Sequence, residues 1–73
     1  MTVEEYRALE RKAYVLGGKG QDRMIDNGWH IVCISPFDSD TKTAERLSGY
    51  DKVKVYKATT AVRGYHHTFA MVK

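Results

Sequence analysis

Asp22-Arg23-Met24-Ile25-Asp26-Asn27-Gly28-Trp29-His30-Ile31-Val32-Cys33-Ile34-Ser35-Pro36 is the stretch that decides the fold. A short helix is expected to stop at Asn27-Gly28, because glycine accepts the positive φ that a helix end often needs. A strand is expected from Trp29 to Ser35. Ile31, Val32, Cys33 and Ile34 follow one another with no turn residue between them. That run is apolar on both faces, a pattern expected of a central or interface strand rather than an exposed edge.

Upstream, Thr2-Val3-Glu4-Glu5 has the form of a capping box. Tyr6, Leu9, Ala13 and Leu16 then recur at spacings of three, four and three, which predicts a helix over Val3–Leu16 with one apolar face. A competing reading makes Tyr14-Val15-Leu16 a short strand, since these residues favour extended backbone. Gly17-Gly18-Lys19-Gly20 reads as a tight connection before a short helix over Gln21–Asn27. Downstream of Pro36, Ser39-Asp40 can cap a short helix over Thr41–Leu47; a disordered loop is the alternative. Lys52–Val62 and Tyr65–Val72 read as two strands of a hairpin turning at Arg63-Gly64.

The expected fold is α+β: a small three-stranded antiparallel sheet, with the N-terminal amphipathic helix and the short second helix on one face. Alternation within strands sets Trp29, Ile31 and Cys33 against His30, Val32 and Ile34, and Phe69 and Met71 against Ala70 and Val72. Two such helices cannot cover both faces. The face holding Val32, Ile34 and Val72 is therefore expected to be a partner site or the seam of a homodimer.

The chain has 73 residues and a formal net charge of +3, so it forms one domain, residues 1–73. A domain this small buries roughly 60% of its unfolded surface, which leaves a single core marginal. Cys33 is the only cysteine, so a disulfide cannot supplement that core and a reducing compartment is expected. The N-terminus carries Glu4, Glu5, Arg7 and Glu10 and does not resemble a signal peptide. With no membrane-length apolar run, a cytoplasmic location is expected. Residues 1–29 hold five acidic and five basic side chains, and residues 30–73 four acidic and seven basic, so the positive excess lies in the C-terminal part.

No residue set for catalysis, metal or cofactor binding can be nominated. His66 and His67 leave opposite faces of one strand, as do His30 and Cys33, which does not suit chelation of one ion. Cys33 is the only strong nucleophile, and within an apolar strand a thiol is usually inert packing. The Gly17–Gly20 segment lacks the Ser or Thr that a phosphate loop places after its lysine. His67 is expected to be partly buried near Phe69. The basic and aromatic residues of the hairpin stand out: Lys54, Tyr56, Arg63, Tyr65 and His66 are the candidate partner-binding residues, Tyr and Arg being common interface anchors. The same interleaving suits a single strand of nucleic acid.

The run Met24–Pro36, with Thr68-Phe69-Ala70-Met71-Val72-Lys73, resembles a widespread family of small bacterial and phage domains of unknown function. Their signature is a helix running into Gly-Trp and an apolar strand, with a C-terminal strand ending in a basic residue. Gly28-Trp29 is the specific element of the match. Those domains usually open with a strand, whereas this chain opens with a capped helix. The resemblance implies a helix–strand core and carries no catalytic residue. Taken together, the sequence points to a non-enzymatic protein-binding module, a small regulator or inhibitor that forms a homodimer, with nucleic-acid binding as the alternative.

Overall fold

Thr2 starts the first helix as the sequence predicts. The Glu5 amide donates to Thr2 Oγ1 at 3.1 Å, and the Thr2 amide donates to Glu5 Oε1 at 3.2 Å, closing the capping box. The computed structural model describes the backbone of residues 1–62 and 66–73 and the side chains of residues 1–59 and 67–73. In order, the elements are α1 (Val3–Arg11), α2 (Gly18–Asp26), β1 (His30–Ile34), α3 (Asp40–Leu47), β2 (Val53–Val62) and β3 (His66–Val72). The α+β class with a three-stranded antiparallel sheet is as expected. The expected turn at Arg63-Gly64 lies outside the described residues.

The first helix is shorter than its periodicity suggests. It ends at Arg11, and Tyr14–Leu16 runs extended beside β2. The Lys57 amide donates to the Tyr14 carbonyl and the Leu16 amide to the Lys57 carbonyl, each at 3.0 Å. The competing strand reading of Tyr14-Val15-Leu16 wins, because pairing with β2 satisfies backbone groups that one more helical turn would leave on β2 open. The second helix begins earlier than expected. Gly17 is its N-cap, and Gly18, Lys19 and Gly20 form its first turn rather than a loop.

At the other end of α2 the decisive stretch behaves as read. Gly28 has φ +93°. Its amide donates to the Ile25 carbonyl and the Trp29 amide to the Met24 carbonyl, both at 3.0 Å. This is the six-to-one and five-to-two pairing of a Schellman motif, and Met24 and Trp29 pack into one cluster as its usual hydrophobic contact. The segment after Pro36 is helix, not disordered loop: Ser39 caps α3 by accepting from the Lys42 amide at 3.1 Å.

Strand order is β1-β3-β2, all neighbours antiparallel. The central strand is therefore β3, and β1 lies at an edge, which excludes the central alternative of the expected central or interface strand. Register sets which faces the strands share. Val32 stands opposite Ala70 and Val55 opposite Ala70 on the other side, while Tyr56 and Cys33 both stand opposite Phe69. Val53 and Val55 thus share a face with Val32, Ile34 and Val72, and Lys54 and Tyr56 share the face of Phe69 and Met71. Tyr6 of α1 and Ala44 and Leu47 of α3 close over the first face. Leu16, Met24 of α2 and Trp29 pack on the second. Helices therefore lie on both faces rather than one, since α3 and α1 together fill the first.

That arrangement overturns the expected dimer seam. Ile34 is 7% exposed and Val72 0%, both inside the core under α1 and α3, and Val32 packs against that core. Their apolar surface is satisfied within the chain.

Candidate functional site

The two outer edges of the sheet are treated very differently. Along β2, the Tyr14–Leu16 strap occupies the backbone of Lys57, and the Tyr14 ring lies edge-on to Tyr56 with centroids 5.3 Å apart. Lys52 and Lys57 add charge along the same border, a common device against unwanted strand pairing. Along β1, no strand among the described residues pairs with the outer side. The strand carries no Lys, Arg, Asp, Glu or Pro. Ile31 is 39% exposed and the Cys33 thiol is exposed, so Cys33 is not the packed thiol the sequence suggests.

Beside this edge lies a cationic aromatic patch. The Lys54 and Lys73 ammonium groups sit over the Trp29 ring, 5.4 and 5.2 Å from its centroid. The Schellman turn sets the position of Trp29. Lys73 is held by its backbone, which exchanges hydrogen bonds with Lys52 at 3.0 and 3.1 Å. Each cation–π contact at such a site contributes about 0.5–1 kcal/mol. Both ammonium groups remain able to meet an anionic partner.

Of the candidate partner-binding residues, the structure keeps Lys54 at the surface and buries Tyr56. Tyr56 is 6% exposed, covered by Tyr14 and packed on Phe69 at 5.9 Å. Burial raises the Tyr56 hydroxyl above its ordinary pKa, with the neighbouring Tyr14 adding to the effect. It is a core residue rather than a contact residue. Arg63, Tyr65 and the His66 side chain lie outside the described residues. Sequence reasoning missed Lys73 as a partner of Trp29 and Ile31 as a surface residue. Lys73 was marked only as the basic end of the last strand, with nothing to join it to Trp29; Ile31 was hidden by the expectation of a central or interface strand rather than an exposed edge.

A cleft of about 310 Å³ opens on the opposite face, lined by Tyr6, Glu10, Ser35, Asp40 and His67 among others. Burial, then the hydrogen bond to Glu10, then the charges of Glu10 and Asp40, push the Tyr6 hydroxyl well above its ordinary pKa. Asp40 is already engaged by Arg7, whose Nε donates to Oδ2 at 2.9 Å. His67 is exposed rather than partly buried. Among the described residues, no three side chains of the His, Cys, Asp and Glu types gather as a metal site, and no helix is long and apolar enough to cross a membrane. No family model, curated protein or solved structure matches the chain.

Proposed function

We propose that this chain is a non-enzymatic protein-binding module whose contact surface is the outer edge of β1 and the side chains around it. The observation that carries the reading is the unprotected edge: an uncharged apolar strand with Ile31 and Cys33 exposed, in a sheet whose other edge is strapped and charged. An exposed edge offers main-chain groups for affinity and alternate side chains for specificity, which is how sheets take up an added strand. The resemblance of Met24–Pro36 to small bacterial and phage domains supports a bacterial or phage source for such a module, and its small size suits a regulator or inhibitor. A cytoplasmic setting fits a chain whose lone thiol is exposed and must stay reduced.

The test is selection of a random-peptide library on the protein immobilised at low density. Enriched extended apolar peptides should bind alike at about 50 and about 200 mM salt and be lost on Ile31→Lys. Failure to enrich, or binding indifferent to Ile31→Lys, would count against the edge. Nucleic acid is the second reading, favoured by Lys54 and Lys73 around Trp29, because stacked bases and phosphates want that pairing. A random single-stranded oligonucleotide that binds at low salt and is released steeply as salt rises would establish it instead.

A further inference from the structure

We infer that the cleft bounded by α1, the start of α3, the end of β1 and the start of β3 binds a primary alkylammonium group, whose charge Glu10 and Asp40 receive. The site is separate from the β1 edge and does not depend on it. Its volume of about 310 Å³ is at the small end of organic-ligand sites. The lining is graded from apolar to charged. Tyr6 and Ile34 are 1% and 7% exposed and form the inner wall. Asp40 is half-buried, and Glu10 and His67 are exposed at the rim.

The lining selects the sign and the kind of ion. The charges of Glu10 and Asp40 both act on the Tyr6 hydroxyl, so the two carboxylates lie around one point of the cleft. In a chain of net charge +3 this is a local reversal of sign. Asp40 is already met by Arg7, whose Nε lies 2.9 Å from Oδ2. Glu10 accepts from the Tyr6 hydroxyl and forms no ion pair among the described residues. The chain thus neutralises one carboxylate of the pair and leaves the other for an incoming cation. A metal ion does not fit. Glu10, Asp40 and His67 all line the cleft, yet among the described residues no three such side chains gather as a metal site. A guanidinium fits less well than an ammonium, because its planar fork pairs best with both oxygens of one carboxylate. Arg7 holds one oxygen of Asp40, and Tyr6 engages Glu10. An ammonium is a compact charge with three donors on a flexible alkyl stem. The stem can lie against Ile34 and Tyr6 while the head stays with the carboxylates, as lysine side chains divide between apolar and polar surroundings.

Such a group can come from a free alkylamine or from a lysine side chain of another protein, and two probes separate these sources. Butylamine and N-acetyl-lysinamide carry the same alkylammonium, and butanol is the neutral control. In amine titrations followed by backbone amide shifts, the resonances of Glu10, Asp40 and Thr68 should move and saturate with a Kd below about 1 mM. Butanol should move none of them. Glu10→Gln, at an exposed position, should keep the wild-type thermal melt and weaken both amines at least about tenfold. Tighter binding of N-acetyl-lysinamide assigns the site to a protein-borne lysine. Butylamine binding as tightly or more so assigns it to a free amine.

Shifts that do not saturate for either amine would overturn the inference. So would butanol binding as well as butylamine, or a Glu10→Gln protein that binds both amines like the wild type. Ile31→Lys separates this site from the β1 edge. It should abolish capture of selected peptides and leave amine binding unchanged, whereas a parallel loss of amine binding would place the amine outside the cleft and overturn the assignment.

Discussion

Cys33 and Tyr56 lie in the same row of the sheet, each opposite Phe69, one on each outer strand. Tyr56 is buried under Tyr14, and Cys33 is exposed. The difference comes from the chain that runs beside each strand. Tyr14–Leu16 bonds to the outer side of β2 and brings an aromatic lid with it. Beside β1 the chain instead leaves through Pro36 toward α3, which packs on the other face. One edge is finished by the fold, and the other is left unpaired among the described residues.

The largest effect that distinguishes the edges is stability. Tyr56→Ala should cost about 3 kcal/mol, as removal of a buried aromatic does. In a domain of this size that lowers Tm by at least about 12 °C. Cys33→Ala, in the same row, should stay within about 0.5 kcal/mol, as substitutions at exposed positions do. Equal losses in thermal melts would erase the comparison. Next comes Gly28→Ala, which forces a Cβ into a φ of +93° and to 3.3 Å from the Lys73 side chain. A loss of about 1–2 kcal/mol in urea titrations is expected. Because that turn aims β1, association through the edge should weaken with it.

Alkaline pH sharpens the contrast between covered and open groups. Tyr6 and Tyr56 have raised pKa values in the folded chain, chiefly through burial. Below the unfolded value of 10.0 both states keep the proton and stability is unaffected by these groups. Above it the unfolded chain releases protons that the folded chain retains, so stability falls as pH rises past 10.0 toward the higher folded values. Urea midpoints that hold steady to pH 10.0 and then drop, with a shallower drop in Tyr6→Phe, are expected. The smallest effect belongs to the patch: Lys54→Gln should cost only about 0.5 kcal/mol while altering Trp29 fluorescence.

Local signals in the sequence were accurate where chemistry is local. Thr2 and Glu5, Ser39, and Gly28 each satisfied backbone groups within a few residues, and all three helix ends they govern are where those residues imply. Leu16 misled because its spacing continued the α1 stripe, although Tyr14 and Val15 were better suited to pairing along β2. Strand order misled for a different reason. Ile31–Ile34 and Phe69–Val72 are both unbroken apolar runs, and only the second is central, with every residue buried. Alternation tells which side chains share a face within a strand; it does not tell which face of the next strand they join. That ambiguity is why the face of Val32, Ile34 and Val72 reads as a seam in the sequence and is core in the structure. At the candidate site, Lys54 was legible as a basic strand residue, but the contact of Lys73 with Trp29 depends on a register no motif encodes.

Amide hydrogen exchange tests the two-edge account most directly. The Lys57 amide, bonded to the Tyr14 carbonyl at 3.0 Å, should be protected in the protein alone. Outward-facing amides of His30–Ile34 should exchange freely in the protein alone and become protected when a selected extended peptide is added. Protection of every β1 amide in the protein alone, or of no further amide with the peptide, would contradict the claim that the β1 edge is open to a partner strand.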